Sequence, residues 1–599
     1  MKKILPISIS LICFLVFTFQ LNAQDNQRPF ITKWKTNIIT ESENHITIPT
    51  NPDYEYLYDV DWNGDGSFED TNVEGDIKHI YDAPGEYTVV IKGTFPAIYF
   101  NSNIDYPKII EIVQWGDIQW ETMERAFASC MNLEVTATDA PNLSNVTSLE
   151  KMFYGAATFN SSINHWNIDN ITNLNSTFEG ASKFNQDLNN WNVGNVTSMS
   201  FTFSAASAFN GDISNWDLTS VTTIDHILEN AESFNGDISN WDVSNITNMK
   251  KALYGTKSFT GDVSDWDVSN VTNMIATFAR AYIWNGDISD WNVSNVTNMA
   301  YMFWYTHKFK GDISDWNVSN VTSTEGMFGS VEEFNCDLNK WDVSNITNMS
   351  FMFANAYAFN HDLNSWNVSK VTNFESLFYG AKSFNGKINN WDVSNGTSMS
   401  QMFWYAEAFN QNISDWDVSN ITDMSEMFSG ATAWKGDVSD WNVSKVNNMT
   451  RMFNGISLET TIYNKLLSNW SKLELQRNVT FDAGSSIYSG KDAEIGKNIL
   501  IEDFLWTITD GGIVSNINSI TDFDLKIYPN PTTDIININI NNSNLIDGTI
   551  KLYDPNGKQV LQKIITSKNE KINKDLYSGS YNVVLEKDNI KITKKLLVY

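Results

Sequence analysis

A tryptophan recurs every 25 residues from Trp166 to Trp441, and this period limits what the chain can fold into more than any other feature. One unit, starting at Phe234, reads FNGDISNWDVSNITNMKKALYGTKS. Around each tryptophan, Ile or Val commonly stands three residues before, Val two after, Val or Ile five after and Met eight after. Phe commonly follows at twelve, Ala at fifteen and Phe or Trp at eighteen. Degenerate copies lie upstream: Val146, Leu149 and Phe153 keep the phase with Pro141 in the tryptophan slot, and Met123 and Phe127 keep it with Trp115 there. A unit this short cannot bury its own apolar face, so neighbours must stack and pile like residues into ladders. The expected fold class is a repeat solenoid. In each 25-residue coil I-x-x-W-x-V forms a short strand, S-N-V-T-N-M turns the chain, and Met-x-x-x-Phe-x-x-Ala forms a short helix. Thr247 or Asn248 would cap that helix in the unit from Phe234. Roughly thirteen coils at about 4.8 Å each would make a rod of ~60 Å. The tryptophan ladder reads as core, because it is strictly periodic and alternates with inward Val and Ile. The alternative is a stacking platform for sugars.

The run I-x-x-W-x-V resembles the L-x-x-L-x-L strand core of leucine-rich repeats. The phrase W-D-V-S-N-V-T-N-M-x-x-M-F, present from Trp291 to Phe303 with Asn in second place, resembles the BspA-like leucine-rich-repeat surface proteins. Their 25-residue repeats also occur in Mycoplasma surface lipoproteins. The resemblance spans roughly residues 115 to 515. It implies a secreted or surface-displayed protein, with adhesion or host and matrix binding known for some members, and it transfers no ligand.

The flanks have their own patterns. At the start, Lys2 and Lys3 precede an apolar stretch from Ile4 to Phe19, and Leu21-Asn22-Ala23 precedes Gln24, so residues 1–23 read as a signal peptide. Cys13 sits inside it, after Leu11 and Ile12, which is a poor setting for a lipid anchor. The mature chain keeps Cys130 and Cys336, too far apart in the array to pair, so both are expected as free, buried thiols. Residues 24–112 alternate aromatic and β-branched residues at Tyr54–Trp62 and Tyr87–Ile91. Their W-N-G-D-G turn, one residue shorter than W-x-x-G-D-G, and Tyr81-Asp82-Ala83-Pro84-Gly85-Glu86-Tyr87 resemble a PKD-type β-sandwich. That resemblance implies an immunoglobulin-like spacer or interaction module. The array proper is expected over 113–455. Residues 456–515 are expected to close it, with a helix at Tyr463–Trp470 and closing coils at Val479–Gly484 and Trp506–Gly512. Residues 523–599 open on Lys526-Ile527-Tyr528-Pro529-Asn530-Pro531. They continue through Leu576-Tyr577-Ser578-Gly579-Ser580-Tyr581 and end on Lys594-Lys595-Leu596-Leu597-Val598-Tyr599. This segment resembles the C-terminal sorting domain of the Bacteroidetes type IX secretion system. The resemblance implies export across the outer membrane and contact with its secretion machinery, and a cell that is Gram-negative.

Catalytic patterns are scarce. The six histidines, His45, His79, His165, His226, His307 and His361, include no H-x-x-x-H pair. No G-x-S-x-G, C-x-x-C or phosphate loop stands in a supporting context. Carboxylates are abundant, but Asp262, Asp287 and Asp312, like Asp265, Asp290 and Asp315, obey the repeat, whereas an active site breaks one. They read as a solvated, turn-forming face. The one pointed motif is Asp59-x-Asp61-x-Asn63-Gly64-Asp65 with Asp70 at the twelfth place, the oxygen spacing of a calcium loop. Asp rather than Glu at twelve, and strands rather than helices on either side, favour an acidic β-turn as the other reading.

The net charge of −31 argues against nucleic acid or anionic membrane as partners. Three function classes remain. The favoured one is a non-enzymatic binding or adhesion protein for host, matrix or neighbouring-cell proteins or glycans. The others are an extracellular hydrolase that uses the array as scaffold and a structural surface-layer protein. The hydrolase would need an irregular insertion, and the unit length never varies from Trp166 to Trp441.

Overall fold

A computed structural model describes residues 27–36, 44–101, 105–514, 525–533, 535–541, 543–573, 575–587 and 590–599. The signal peptide expected at 1–23, Cys13 included, lies outside them. The chain forms two compact units, residues 1–513 and 514–599. Among the described residues no helix is long and apolar enough to cross a membrane.

Strict alternation builds the N-terminal sheet. Strand β1 (Phe30–Lys35) buries Phe30, Thr32 and Trp34 and turns the residues between them outward. It pairs antiparallel with β6 (Glu86–Thr94) on one side and β7 (Ile109–Gln114) on the other. The remaining strands are β2 (His45–Ile48), β3 (Leu57–Asp61), β4 (Asp70–Val73), β5 (Ile77–Ile80) and β8 (Glu134–Val135). The main sheet runs β4-β3-β6-β1-β7-β8, and β2 and β5 pair separately. Its last pairing is parallel: Ile112 of β7 faces Val135 of β8, the first rung of the repeats. Phe30 stacks on Trp115 at 5.7 Å and meets Trp120 edge-on at 5.2 Å, and Phe100 lies 6.5 Å from Phe127. One hydrophobic core therefore runs from Phe30 to Trp506, across the point where a separate spacer module was expected to end.

The expected leucine-rich-repeat-like solenoid, with a short strand and a short helix in every coil, is overturned. The protein's regular elements are mostly strands in several separate sheets. Among the described residues it has two α-helices, and both lie after the repeats. No helix or extended strand occurs between Trp166 and Trp441, where successive repeats meet through single parallel bridges such as Asn248 to Asn273. The reason is where the amide hydrogens go. In the unit from Phe234, the N–H groups of Met249, Lys251, Leu253 and Gly255 donate to the carbonyls of Asn273, Ile275, Thr277 and Ala279 in the next repeat, at 2.7–2.9 Å. Between them, Ala252 donates back to Met249 and Tyr254 to Lys251, closing tight turns. A helix would instead spend its donors beyond the first turn within itself. The alternation also forces Lys251 to φ 53° and Gly255 to φ 71°, left-handed values that no α-helix contains. Asn248 caps no helix. Its Oδ1 accepts the Lys250 N–H at 3.1 Å, a local turn.

The tryptophans are core, 2–4% exposed from Trp166 to Trp441. From Trp191 onward each indole Nε1–H also donates to the carbonyl 28 residues earlier: Trp291 to Val263 at 3.0 Å, Trp316 to Ile288 at 3.0 Å. Trp166 follows the unit with Pro141 in its slot, and its Nε1 is buried without an acceptor. Where Phe stands twelve after the Trp, it stacks on its equivalent, as in Phe303 on Phe328 at 5.9 Å and Phe328 on Phe353 at 5.7 Å; after Trp216 and Trp241 that place is held by Leu228 and Leu253. Amide side chains knit the outside. Asn235 N–H donates to Asn210 Oδ1 at 2.7 Å, and Asn270 Nδ2 donates to the Ser244 carbonyl at 2.8 Å. Cys130 is buried and Cys336 only half-buried, with its thiol donating to Asp312. Both are free.

The closing segment differs, as an end must. Helix α1 (Thr460–Trp470) starts before the expected Tyr463 and buries Tyr463, Leu466, Leu467 and Trp470. Strand β9 (Thr480–Asp482) pairs in parallel with β10 (Thr507–Thr509), and between them stands α2 (Lys491–Glu502). Helix α2 does not follow from the sequence pattern: its buried residues are Ala493, Gly496 and Leu500, a thin apolar stripe. Gly496 is required where α2 crosses α1, because a Cβ there would lie 2.4 Å from the Leu467 carbonyl oxygen.

The C-terminal unit has its own core, from Leu525 to Val598. Its strands are β11 (Leu525–Tyr528), β12 (Ile535–Ile540), β13 (Thr549–Tyr553), β14 (Gln559–Ile564), β15 (Asn569–Asn573), β16 (Gly579–Lys587) and β17 (Ile590–Val598). They form one sheet ordered β11-β12-β15 and another ordered β14-β13-β16-β17. Glu570 in β15 takes Lys563 Nζ at 2.6 Å and the Thr566 and Ser567 N–H groups at 2.8 and 3.0 Å. The Lys563 ammonium, then these donors, hold the carboxyl at about 2, below the usual carboxylate range. A lowered folded-state pKa gives stability that is present above the unfolded value and lost as pH falls through the folded one. The C-terminal strands should therefore lose amide-exchange protection as pH drops from about 4.3 toward 2. Glu570→Gln should flatten that dependence.

Candidate functional site

Two features qualify as sites by their chemistry: an acidic loop in the N-terminal sheet and the outward segment of the repeats. The loop joins β3 to β4, whose Val60 and Asp70 face each other. The structure divides the five oxygens expected to bind calcium. Asp61 and Asp65 come together, joined by Glu69, with one carboxylate oxygen from each lying within 4.8 Å of the others. Asp59 is spent on the Asn72 N–H at 2.9 Å, and Asp70 on Trp62 Nε1 at 2.8 Å. Asn63 Oδ1 accepts the Asp65 N–H at 2.8 Å, and its Nδ2 donates to Glu69. Glu69 was missed because the loop is a β-connection, and a helix-loop-helix count lands on Asp70 instead. Asp61 is buried and accepts three backbone N–H groups, from Asn63 and Gly64 on Oδ1 and from Gly66 on Oδ2, at 2.7–3.1 Å. The Ser67 N–H and hydroxyl hold Asp65 below its usual pKa.

Calcium takes six to eight oxygens. Here the central carboxylate already accepts three backbone N–H groups, which fix the shape of the turn. Asp61→Ala should lower stability by about 1–3 kcal/mol whether or not calcium is present, because three part-buried backbone donors lose a charged acceptor. Thermal unfolding in chelator and in millimolar calcium checks this. A loss confined to the calcium sample would place an ion at the centre of the loop.

The repeat carboxylates are spent in the same way. Asp262, Asp287 and Asp312 accept the N–H of Ser264, Ser289 and Ser314 at 2.9–3.0 Å. These bonds pull the three carboxyls below their ordinary pKa. They are turn-formers facing water. A cleft of about 460 Å³ in the N-terminal region is lined by Glu55 and Glu121, both exposed to solvent.

The outward segment is where one repeat differs from the next. From seven residues before each tryptophan to eight after it, the units are nearly identical. Thirteen after it, five successive repeats carry Glu229, Tyr254, Ala279, Trp304 and Gly329. Ten after it they carry His226, Lys251, Ala276, Tyr301 and Gly326. The fixed residues are the ones that stack or bond between repeats. The variable ones sit on the tight turns, where Tyr154, Tyr305, Tyr357 and Tyr405 are 36–49% exposed. The sequence carries this variation, but the expectation of a helix there hid which residues face water.

Together the repeats and the separate C-terminal unit define an exported repeat protein. Residues 526–599 match the secretion system C-terminal sorting domain, which makes the chain a type IX secretion substrate, secreted or held on the outer cell surface. Residues 121–240, 226–338, 311–407 and 385–485 match the model described as Mycoplasma protein of unknown function, DUF285. Together these matches span more than half of the sequence, and the chain belongs to that family. No curated protein matches it.

Proposed function

We propose that the mature chain is a non-enzymatic binding protein that adheres, outside the cell, to host, matrix or neighbouring-cell proteins or glycans. The observation that carries this reading is the division of labour within each repeat. Fixed positions are consumed by stacking, and variation gathers on one outward segment, as in repeat proteins that bind through one face. The finer kinships belong to the same reading: the repeat phrase is that of BspA-like surface proteins, and the N-terminal sheet carries the turn and hairpin of a PKD-type module. Binding of the purified mature protein to arrays of matrix proteins and glycans tests it. Saturable binding to at least one target, with no cleavage products released, is expected. Turnover of a polysaccharide or peptide would instead establish a hydrolase.

A further inference from the structure

The variable segment is chemically uneven along the array. The phrase M-F-W-Y occurs at Met302–Tyr305 and again four repeats later at Met402–Tyr405. In both copies Met and Phe are buried, Trp is half-buried and Tyr is exposed. Trp304 and Trp404 thus break the rule of the ladder tryptophans, which are all core. A glycine of the next repeat receives one ring of each pair. A Cβ on Gly329 would lie 2.1 Å from Trp304 Cζ3, and one on Gly430 would lie 2.5 Å from Tyr405 Cδ1. Neighbouring rings hold them in place: Tyr301 meets Trp304 edge-on at 5.4 Å, and Tyr379 lies 4.9 Å from Trp404. Carboxylates stand beside both. Glu325 accepts the Tyr301 hydroxyl, and Glu426 accepts Gln401 Nε2 at 3.2 Å.

The spacing and chemistry narrow the partner. The Phe column beneath the two clusters rises by four rungs of 5.6–5.9 Å between ring centroids. The platforms are thus on the order of 20 Å apart along the array, taking about 4.8 Å of rise per rung. Between them the outward segment carries Phe351, Asn355, Glu375 and Tyr379, rings interspersed with polar groups, while Gly326, Gly329 and Ser330 are buried. The excess of negative charge disfavours a polyanion. Rings interspersed with carboxylates and amides along one line fit a linear polymer with flat apolar faces and hydroxyls between them to donate to those groups.

We propose that the face from Tyr301 to Glu426 binds a linear neutral polysaccharide, which stacks sugar rings on the Trp304–Tyr305 and Trp404–Tyr405 platforms. This rests on the binding reading above and names its ligand class and site. The test is affinity electrophoresis of the mature protein in gels carrying β-glucan, xylan or mannan, with dextran sulfate as the polyanion arm. Retardation by at least one neutral polymer is expected. Trp304→Ala and Trp404→Ala should each weaken it about tenfold, and the double variant should abolish it. Gly329→Ala, which displaces the Trp304 ring without removing it, should weaken it several-fold, as should loss of the exposed ring in Tyr405→Ala. These two carry the test if a Trp variant fails to fold. Tyr154→Ala, in the same slot as Trp304 but far along the array, should change nothing. Undiminished binding by the double variant, retardation by dextran sulfate alone, or none by any neutral polymer overturns the proposal. Capture of a matrix protein through Trp304 would overturn it while sparing the binding reading, and binding to no target at all would overturn both.

Discussion

Trp291→Ala is expected to destabilise the array by about 3–5 kcal/mol, the cost of emptying a large core site. Trp291 is 4% exposed, stacks on Trp266 at 6.3 Å and lies 5.9 Å from Phe278, so its removal leaves a void bounded by two repeats. Denaturant unfolding of the mature protein, followed by tryptophan fluorescence, measures the loss. Ready iodide quenching of most array tryptophans, or a wild-type midpoint in the variant, would contradict a core ladder. The indole hydrogen bond can be separated from the ring. Trp291→Phe keeps most of the apolar volume but removes the indole donor from the Val263 carbonyl, which keeps the Trp266 N–H at 3.2 Å, and should cost about 0.5–1.5 kcal/mol beyond the change in packing. Trp166→Phe should lack that extra cost, because its Nε1 has no acceptor to lose. Equal bond penalties at the two sites would mean that the indole bonds add nothing between repeats.

What the sequence made legible follows from what each signal encodes. The spacing of Trp, Val, Met and Phe reports burial, and burial is as read: Trp241, Val243, Ile246, Met249 and Leu253 are all core. The same spacing does not report where amide hydrogens go. A Met-x-x-x-Phe interval satisfies one inward face in a helix, and equally in a run of tight turns that exports alternate N–H groups to the next repeat. Only the second lets a 25-residue unit bond to both neighbours along its whole length. The left-handed positions held that information, since Gly155, Gly180, Gly255, Gly380 and Gly430 recur in one slot with φ of 62–74°. Lys251 and Tyr301 in another slot adopt the same region without advertising it. In the acidic loop the oxygen-rich composition was plain, but the choice of partners was not. Whether Asp70 or Glu69 joins Asp61 depends on the register of β3 against β4, which a count from Asp59 cannot supply.

Deletion of Phe523–Tyr599 should abolish surface appearance and leave the protein in the periplasm with its repeats intact. The two halves of that expectation have separate physical grounds. Retention follows from the sorting domain, which spans the matched residues 526–599 and has its own core of Leu525, Ile538, Leu552, Val583 and Leu596. Integrity of the repeats follows because the other core ends at Trp506 and contains no residue of the C-terminal unit. Its end is closed by α1, α2 and the β9–β10 pair, which belong to the same unit as the repeats. Cell fractionation and the thermal midpoint of the truncated protein read the two halves independently. Truncated protein at the cell surface in normal amount would refute the sorting role. A lowered midpoint with normal retention would show instead that the tail supports the repeats. The damaged-domain variant Leu552→Asp keeps the chain at full length while unfolding the C-terminal sheets, through a buried, unpaired charge. If it too is retained in the periplasm, export depends on the folded unit rather than on its terminal residues alone.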